Sequence, residues 1–345
     1  MKNNKKQKAS PCSDKQNPKT PYRIRNWKDY NTSLVRRGSI TVWFEESAQQ
    51  RWLTPERTGK PGASPHYSDL AIACVLTLGL VFHLPLRQQQ GFTESVIRLL
   101  GVDLPVPDYT TLCRRRKTLS VNVPASCSKG RAAAIHVVVD STGLKIYGEG
   151  EWKVRLHGVG KRRTWRKLHL AVDEASGEIR AAQLTEASTG DGEQLPSLLS
   201  QVEEEGGVTI RQVSADGAYD SWACHEAIQK REAKATIPPR LGSKIKQHGN
   251  SKKPPLSRDE NLRRIRKIGE SAWKKESGYH RRSLAETAMY RQKQIFGAML
   301  RGRLMTSQTA EAKLRCVALN RMTALGMPDS YAVLSPKLNV YLNET

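Results

Sequence analysis

The chain has 345 residues, room for two or three domains, and a 38% apolar share that can build a core. Its 57 Lys and Arg against 33 Asp and Glu leave a formal charge of +24, an excess that repels itself unless a polyanion neutralises it; nucleic acid is the usual one, although ribosomal and membrane-surface proteins share the trait. Six scattered cysteines without a Cys-x-x-Cys pair argue against a zinc site or a disulfide framework and for a reducing cytoplasmic compartment, and the Lys-rich N-terminus lacks the apolar core of a signal peptide.

Residues 1–21 are Lys, Asn, Ser and Pro, a composition that predicts disorder. Tyr22 to Trp52 sets Trp27, Tyr30, Trp43, Phe44 and Trp52 among basic residues, a small surface subdomain or an arm laid on DNA. After a Pro/Gly/Ser-rich break at 54–65, the apolar run from Leu70 to Leu86 is interrupted by Thr77, Gly79, His83 and Pro85. It is short for a membrane span and predicts a buried helix capped by Ser68-Asp69, so no membrane partner is expected. Thr93 to Leu100 predicts a second helix, closed by Gly101, and Asp108 caps a third that carries Arg114, Arg115 and Arg116. Short helices ending in a basic one suit a helix-turn-helix whose cations meet phosphates or the major groove; a solvated face would look the same.

Beyond a linker at 120–129 the texture changes to strands alternating with helices. AIHVVVD (134–140) is a β-branched run that predicts a buried strand ending at Asp140. Arg166 to Asp173 and Glu178 to Leu184 alternate with period two around a turn and predict a hairpin. Just before it, Trp152 and Trp165 flank a basic stretch that includes Arg162 and Arg163 and suits phosphate contact. Asp191 to Val202 predicts a helix, with Asp191 as its N-cap. Thr209 to Asp216 predicts a strand ending in Asp-Gly, followed by a helix from Ser221 to Arg231 and a short strand at Ala235 to Ile237. Arg240 to Lys267 holds ten basic residues against Asp259 and Glu260, the pattern of a loop that closes on DNA or of a soluble connector. Helices follow at Ser283 to Leu300 and Ala310 to Leu325. The order predicts an α/β fold with a mixed sheet.

Strands carrying Asp140 and Asp216 would be sheet neighbours with their ends level, where α/β sheets bind ligands. Glu286, on the long helix, is the candidate third acid. In-line attack on a phosphodiester puts charge on the attacking and leaving oxygens, and two Mg²⁺ ions ~4 Å apart can stabilise both. Single Asp residues after strands are common caps, and Asp173 and Asp220 are decoys of that kind. Tyr279, Arg282, Glu286 and Lys293 are spaced three, four and seven apart, which would place an aromatic, a carboxylate and two cations along one helical stripe.

The pattern Tyr-x2-Arg-x3-Glu-x6-Lys formed by these four residues resembles the signature of insertion-sequence transposases with an Asp-Asp-Glu active site. VVVDSTGLK (137–145) resembles the first-Asp motif of that group, SADGAYDS (214–221) its second, and PDYTTLCRRRKTL (107–119) its N-terminal helical region. From about Tyr22 to Tyr331 the chain is similar to the insertion sequence five family. The resemblance implies a ribonuclease H-like catalytic core in which Asp140, Asp216 and Glu286 hold two Mg²⁺ ions, Mn²⁺ being able to substitute, while Tyr279, Arg282 and Lys293 support the site and hold DNA. It implies a disordered basic tail over 1–21, a mainly helical DNA-binding region over 22–130, the catalytic domain over 131–300 with a basic insert at 238–278, and a helical tail over 301–345. Its partners would be double-stranded DNA, as terminal inverted repeats and as target, and a second copy of the chain. A host nuclease on the same fold and a non-catalytic repressor from a decayed element are the alternatives.

Overall fold

The computed structural model describes residues 21–44, 46–54, 66–123, 134–146, 165–247 and 255–333. Contacts group the chain into two units, Met1–Val35 with Gly326–Thr345, and Arg36–Leu325. In the smaller, strand β1 (Tyr22–Ile24) pairs antiparallel with β8 (Ser330–Ala332), and helix α1 (Trp27–Arg36) is tied back by Asn26 Nδ2 donating to Met327 O at 3.0 Å.

The larger unit begins with α2 (Ile40–Trp43) and α3 (Glu46–Gln50), then α4 (Asp69–Val81), α5 (Leu86–Leu99) and α6 (Tyr109–Arg115). Ser68 caps α4 as its sequence predicts, accepting from Ala71 N at 3.1 Å, a contact worth about 1 kcal/mol. Asp108 caps α6 through Thr110 N and Thr111 N. The second helix starts at Leu86 rather than Thr93. The polar run Arg87–Gln90 hid its first turn, and Pro85 opens it without a side-chain cap. Trp43 and Trp52 are not surface aromatics: both are 1% exposed, their indole N–H groups donating to Arg37 O at 2.8 Å and Pro105 O at 2.7 Å. Among the described residues no single helix is long and apolar enough to cross a membrane.

The sheet is built on β2 (Ala134–Ile146), with β3 (Trp165–Asp173) and β4 (Ile179–Glu186). After α7 (Asp191–Gly206) come β5 (Thr209–Ser214), α8 (Trp222–Gln229) and β6 (Lys234–Thr236). The chain continues through α9 (Ser257–Ile268), α10 (Glu270–Glu276), α11 (Ser283–Phe296), β7 (Met299–Leu300) and α12 (Met305–Leu325). Strand order is β4-β3-β2-β5-β6, with β7 on the far end of β2; β2–β3 and β3–β4 are antiparallel, β2–β5 and β5–β6 parallel. This is the mixed sheet of an α/β fold that was expected. The predicted hairpin is β3–β4, and the chain reverses with Gly177 at φ +68°, where only glycine is unstrained.

Alternation along β2 divides the core. Val137 and Val139 pack with Leu195, Leu198 and Leu199 of α7 on one face. Val138 and Leu144 lie on the other with Ala285, Ala288 and Met289 of α11 and the buried positions of α12, in a core that also holds Trp43, Trp52 and α4. Burial of this kind yields roughly 25 cal/mol per Å² of apolar surface. It holds the sheet rigid beneath its polar edge.

Candidate active site

β2 runs through Asp140 to Ile146 instead of ending at the acid, because Gly143 and the polar Ser-Thr pair still satisfy the ladder with β3. Its other edge pairs with β5 only as far as Val138↔Ser214 and with β7 only at Lys145 and Ile146. Residues 139–144 therefore face a gap between the ends of β5 and β7. Two residues beyond the Val138↔Ser214 pair, on the two parallel chains, stand Asp140 and Asp216. Asp216 closes its own turn: its side chain accepts from Ala218 N at 2.9 Å and caps the single 3₁₀ turn Gly217–Tyr219.

Glu286 lies in the first turn of α11. Tyr279 and Arg282 precede that helix on a 3₁₀ turn, so the four signature residues do not share one α-helical face. The turn delivers Arg282 between two acids instead. Its Nη1 donates to Asp140 Oδ2 at 2.7 Å and its Nη2 to Glu286 Oε1. The Tyr279 ring lies 5.9 Å from the Arg282 guanidinium and 5.5 Å from Lys274 Nζ, a cation–π contact that fixes the guanidinium. Two turns on from Glu286, Lys293 Nζ donates to Thr142 Oγ1 at 2.5 Å, on the same face of β2 as Asp140.

Burial raises the Asp140 carboxyl above the usual range; the Ser141 N–H and Arg282 oppose this, and the charges of Asp216 and Glu286 add to it. Among the described residues, no three His, Cys, Asp or Glu side chains are grouped closely enough to hold an ion. Positive charge between Asp140 and Glu286 comes from Arg282. In donor chemistry, though not in spacing, the three candidates suit a divalent ion, since all are hard carboxylate oxygens.

The family model described as a transposase DDE domain matches residues 131–321, more than half of the chain. The chain belongs to the DDE transposases. A second model of the same description matches residues 35–149, so the two together span the helices and the sheet of this DDE transposase. Among solved structures, the Drosophila P element transposase in its strand transfer complex is similar over 56% of this chain and 46% of its own, at 10% identity and TM-score 0.30. This chain therefore spans about half the length of that relative. The piggyBac transposase in a synaptic complex with hairpin DNA is similar over 84% of this chain and 73% of its own, at 11% identity and TM-score 0.38.

The remaining predicted residues of this DDE transposase divide by their contacts. Arg114 is exposed, whereas Arg115 donates to Tyr67 O at 2.8 Å and Asp69 at 2.6 Å, bracing α6 against α4. Arg116 is half-buried. Arg162 and Arg163, with Trp152, lie outside the described residues. Asp173 and Asp220 are structural, as decoys should be: buried Asp173 meets Arg180 at 3.5 Å, and Asp220 is held by Arg258 at 2.8 Å. Asp191 is not the N-cap of α7. Gly190 takes that place, and the Asp191 carboxylate turns to Ser141 Oγ at 2.9 Å and Lys167 Nζ at 3.2 Å. Sequence reasoning read Asp191 as a cap and missed its contacts with Ser141 and Lys167. The available signal for Asp191 was the odd parity of Ser141 on β2, which aims it at α7.

Proposed function

We propose that this chain is the transposase of an insertion sequence, of the insertion sequence five family, which cuts DNA at terminal inverted repeats and joins the freed 3′-OH to target DNA. The observation that supports this best is the Asp140–Arg282–Glu286 bridge beside Asp216, at the open edge of β2. It brings the acids of two separated motifs together, and Asp216 stands two residues past the strand pair Val138↔Ser214. Asp140, Asp216 and Glu286 would hold two Mg²⁺ ions, or Mn²⁺ in their place, which when bound activate the attacking oxygen and stabilise the leaving one.

The protein's own groups prepare that chemistry. Ser141 N–H holds Asp140 Oδ1 at 2.8 Å, and the Asp216 turn holds the second carboxylate, so both ligands are oriented in advance. Arg282 keeps the acids together without a metal; on release it stands beside the scissile phosphate, held by the Tyr279 ring and suited by its planar fork to two phosphate oxygens. Lys293, on Thr142, contributes a second cation two turns along α11. The gap beside residues 139–144 leaves room for a phosphate backbone to approach in line. Water serves as nucleophile for cleavage and the 3′-OH for joining, since both are displacements at phosphorus. Two DNA ends must be brought together, which calls for two copies of the chain working on double-stranded DNA, as in a nucleoid.

The test is cleavage and strand transfer on the element's own ends with Mg²⁺. Asp140→Ala, Asp216→Ala and Glu286→Ala should each lower both steps by at least about 100-fold while band-shift affinity for the ends is retained. Wild-type cleavage in all three variants would refute the assignment. Robust cleavage of unrelated substrates, with no inverted repeats flanking the reading frame, would favour a host nuclease.

A further inference from the structure

At the far end of α11 from Glu286 lies a concentration of positive charge that the proposed chemistry leaves without a role. A cavity of about 700 Å³ opens between the start of α5, the residue after α6 and the corner joining α11 to β7. Arg116 and Arg301 line it, and no acidic side chain does. A recess of about 30 Å³ shares both arginines and Gln89 with it, which sets the three side chains next to one another. Neither guanidinium has an acidic partner among the described residues. Glu311, which also lines the recess, is taken: it accepts from Arg315 Nη2 at 2.7 Å, Arg301 N at 3.0 Å and Gly302 N at 2.9 Å. Backbone carbonyls at the corner are engaged as well. Gly297 O and Met299 O receive Arg315 at 2.9 and 2.7 Å, and Ala298 O receives Lys145 N at 2.9 Å. Donors remain. α5 begins at Leu86 with no side-chain cap, so its first N–H groups present the positive end of the helix dipole. Gln89 is 7% exposed, its Nε2 fixed on Leu84 O at 2.9 Å and its Oε1 without a partner among the described residues. Arg116 Nε, buried too, is likewise unpartnered. Gly79 permits this placement, since a Cβ there would collide with Gln89 Cδ. A recess of that size holds one water, which would join Gln89 Oε1 to Arg116 Nε and leave the arginine's Nη groups for a ligand.

We propose that this cavity seats a phosphate of the DNA strand, gripped by Arg116 and Arg301 over the start of α5. The inference rests on the DNA-cutting function proposed above and adds to it a backbone contact outside the catalytic residues. Planar guanidinium forks suit phosphate oxygens, and an uncapped helix start favours the same anion. Ten residues of α11, a rise of about 15 Å, separate Glu286 from Phe296 at the cavity wall, with Lys293 between them. A DNA strand spans that distance in about four nucleotides at about 3.4 Å each. Arg116 closes α6 and Arg301 follows β7, so a single phosphate would tie the N-terminal helices to the corner that ends the catalytic helix.

The measurement is filter binding of a radiolabelled random-sequence duplex to the full-length protein over a series of salt concentrations. Arg116→Gln and Arg301→Gln should each weaken binding about 10-fold, the loss of a charged hydrogen bond. Together they should lower the slope of log affinity against log salt by about 0.9, the share of one phosphate. A combined loss of about 1.8 would mean two separate phosphates and overturn the shared seat. Arg116→Lys keeps the charge without the fork, so it should weaken binding while the slope stays near wild type. Should Arg116→Gln fail to fold, Arg116→Lys and the exposed Arg301→Gln carry the test. Wild-type affinity and slope in those two variants, beside salt-dependent binding by the unsubstituted protein, overturn the seat and leave the DNA-cutting function standing. Duplex binding by the unsubstituted protein that ignores salt refutes that function and the seat with it. Thermal stabilisation by inorganic phosphate that the double variant loses, beside unchanged duplex binding, would give the cavity to a free anion and overturn the DNA occupant.

Discussion

Two residues from Asp216, Ser214 Oγ meets His136 Nε2 at 2.8 Å across the β2–β5 pair, fastening the strands that carry two of the acids. His136 is 6% exposed, and burial holds its pKa down to about 4, with Glu174 opposing and Arg211 and Arg281 assisting. The folded ring is therefore neutral where an unfolded histidine, near 6.5, takes a proton. Between those two pH values the unfolded chain binds more protons, so stability falls as pH drops from about 6.5 to about 4. We expect a loss of about 2 kcal/mol across that window, somewhat less than the full shift implies. Urea titrations at pH 7 and 4.5 check this: His136→Gln should flatten the pH slope, and an unchanged slope would show that another group titrates. Residue chemistry was legible in part. Asp140, Asp216 and Glu286 stood out because apolar runs lead into the first two and motif spacing marks all three. Asp191 did not, because a carboxylate at a helix start reads as a cap, and only the third dimension shows it turned toward Ser141.

At the scale of elements, strands were easier to read than the basic segment after Pro239. Val137–Val139 and Leu168–Val172 are apolar runs whose period leaves little choice. By contrast, α9 has only Leu262, Ile265 and Ile268 among its cations, and a helix so charged looks like a connector. Tertiary contacts decide its place. Asp220, its side chain fully buried, receives Arg258 Nε at 2.8 Å, His225 Nε2 at 3.1 Å and Arg240 N at 2.9 Å. The Arg240 side chain meanwhile donates to Gly217 O at 3.1 Å and Ala218 O at 2.8 Å, on the turn that presents Asp216. The basic helix is thus pinned to the candidate site by one buried acid. Burial alone would raise the Asp220 carboxyl, but hydrogen bonds from His225, Arg258 and Arg240 N hold it well below its ordinary 3.8. The stability it contributes is present above that value and is lost as pH falls below it. Asp220→Asn should cost about 3 kcal/mol at pH 7, and the difference from wild type should shrink below about pH 4. A double-mutant cycle with Arg258→Gln checks the pairing; additive losses would mean that α9 is held by something else.

For the whole molecule, the charge of +24 is distributed less freely than the sequence suggests. Several arginines are committed to internal pairs: Arg115 with Asp69, Arg231 with Glu203, Arg258 with Asp220, and Arg315 with Glu311. Arg264 is likewise matched by Glu276 at 2.7 Å. Such cations brace the fold and release few counterions on meeting DNA. The cations left to bind a polyanion are those that are exposed and, among the described residues, unmatched; in α9 these are Arg266 and Lys267, in its last turn. The same helix is anchored near its start by Arg258 on Asp220, four residues after Asp216. Each phosphate neutralised on a duplex contributes about 0.9 to the slope of log affinity against log salt. Arg266→Gln combined with Lys267→Gln should therefore lower that slope by about 2 while leaving thermal stability unchanged. Arg264→Gln, removing a cation already matched, should change it much less. Fluorescence anisotropy of a duplex between about 50 and 200 mM salt separates the outcomes. Equal slopes for all three proteins would place α9 away from bound DNA, and the basic helix would then serve only to hold the Asp216 turn.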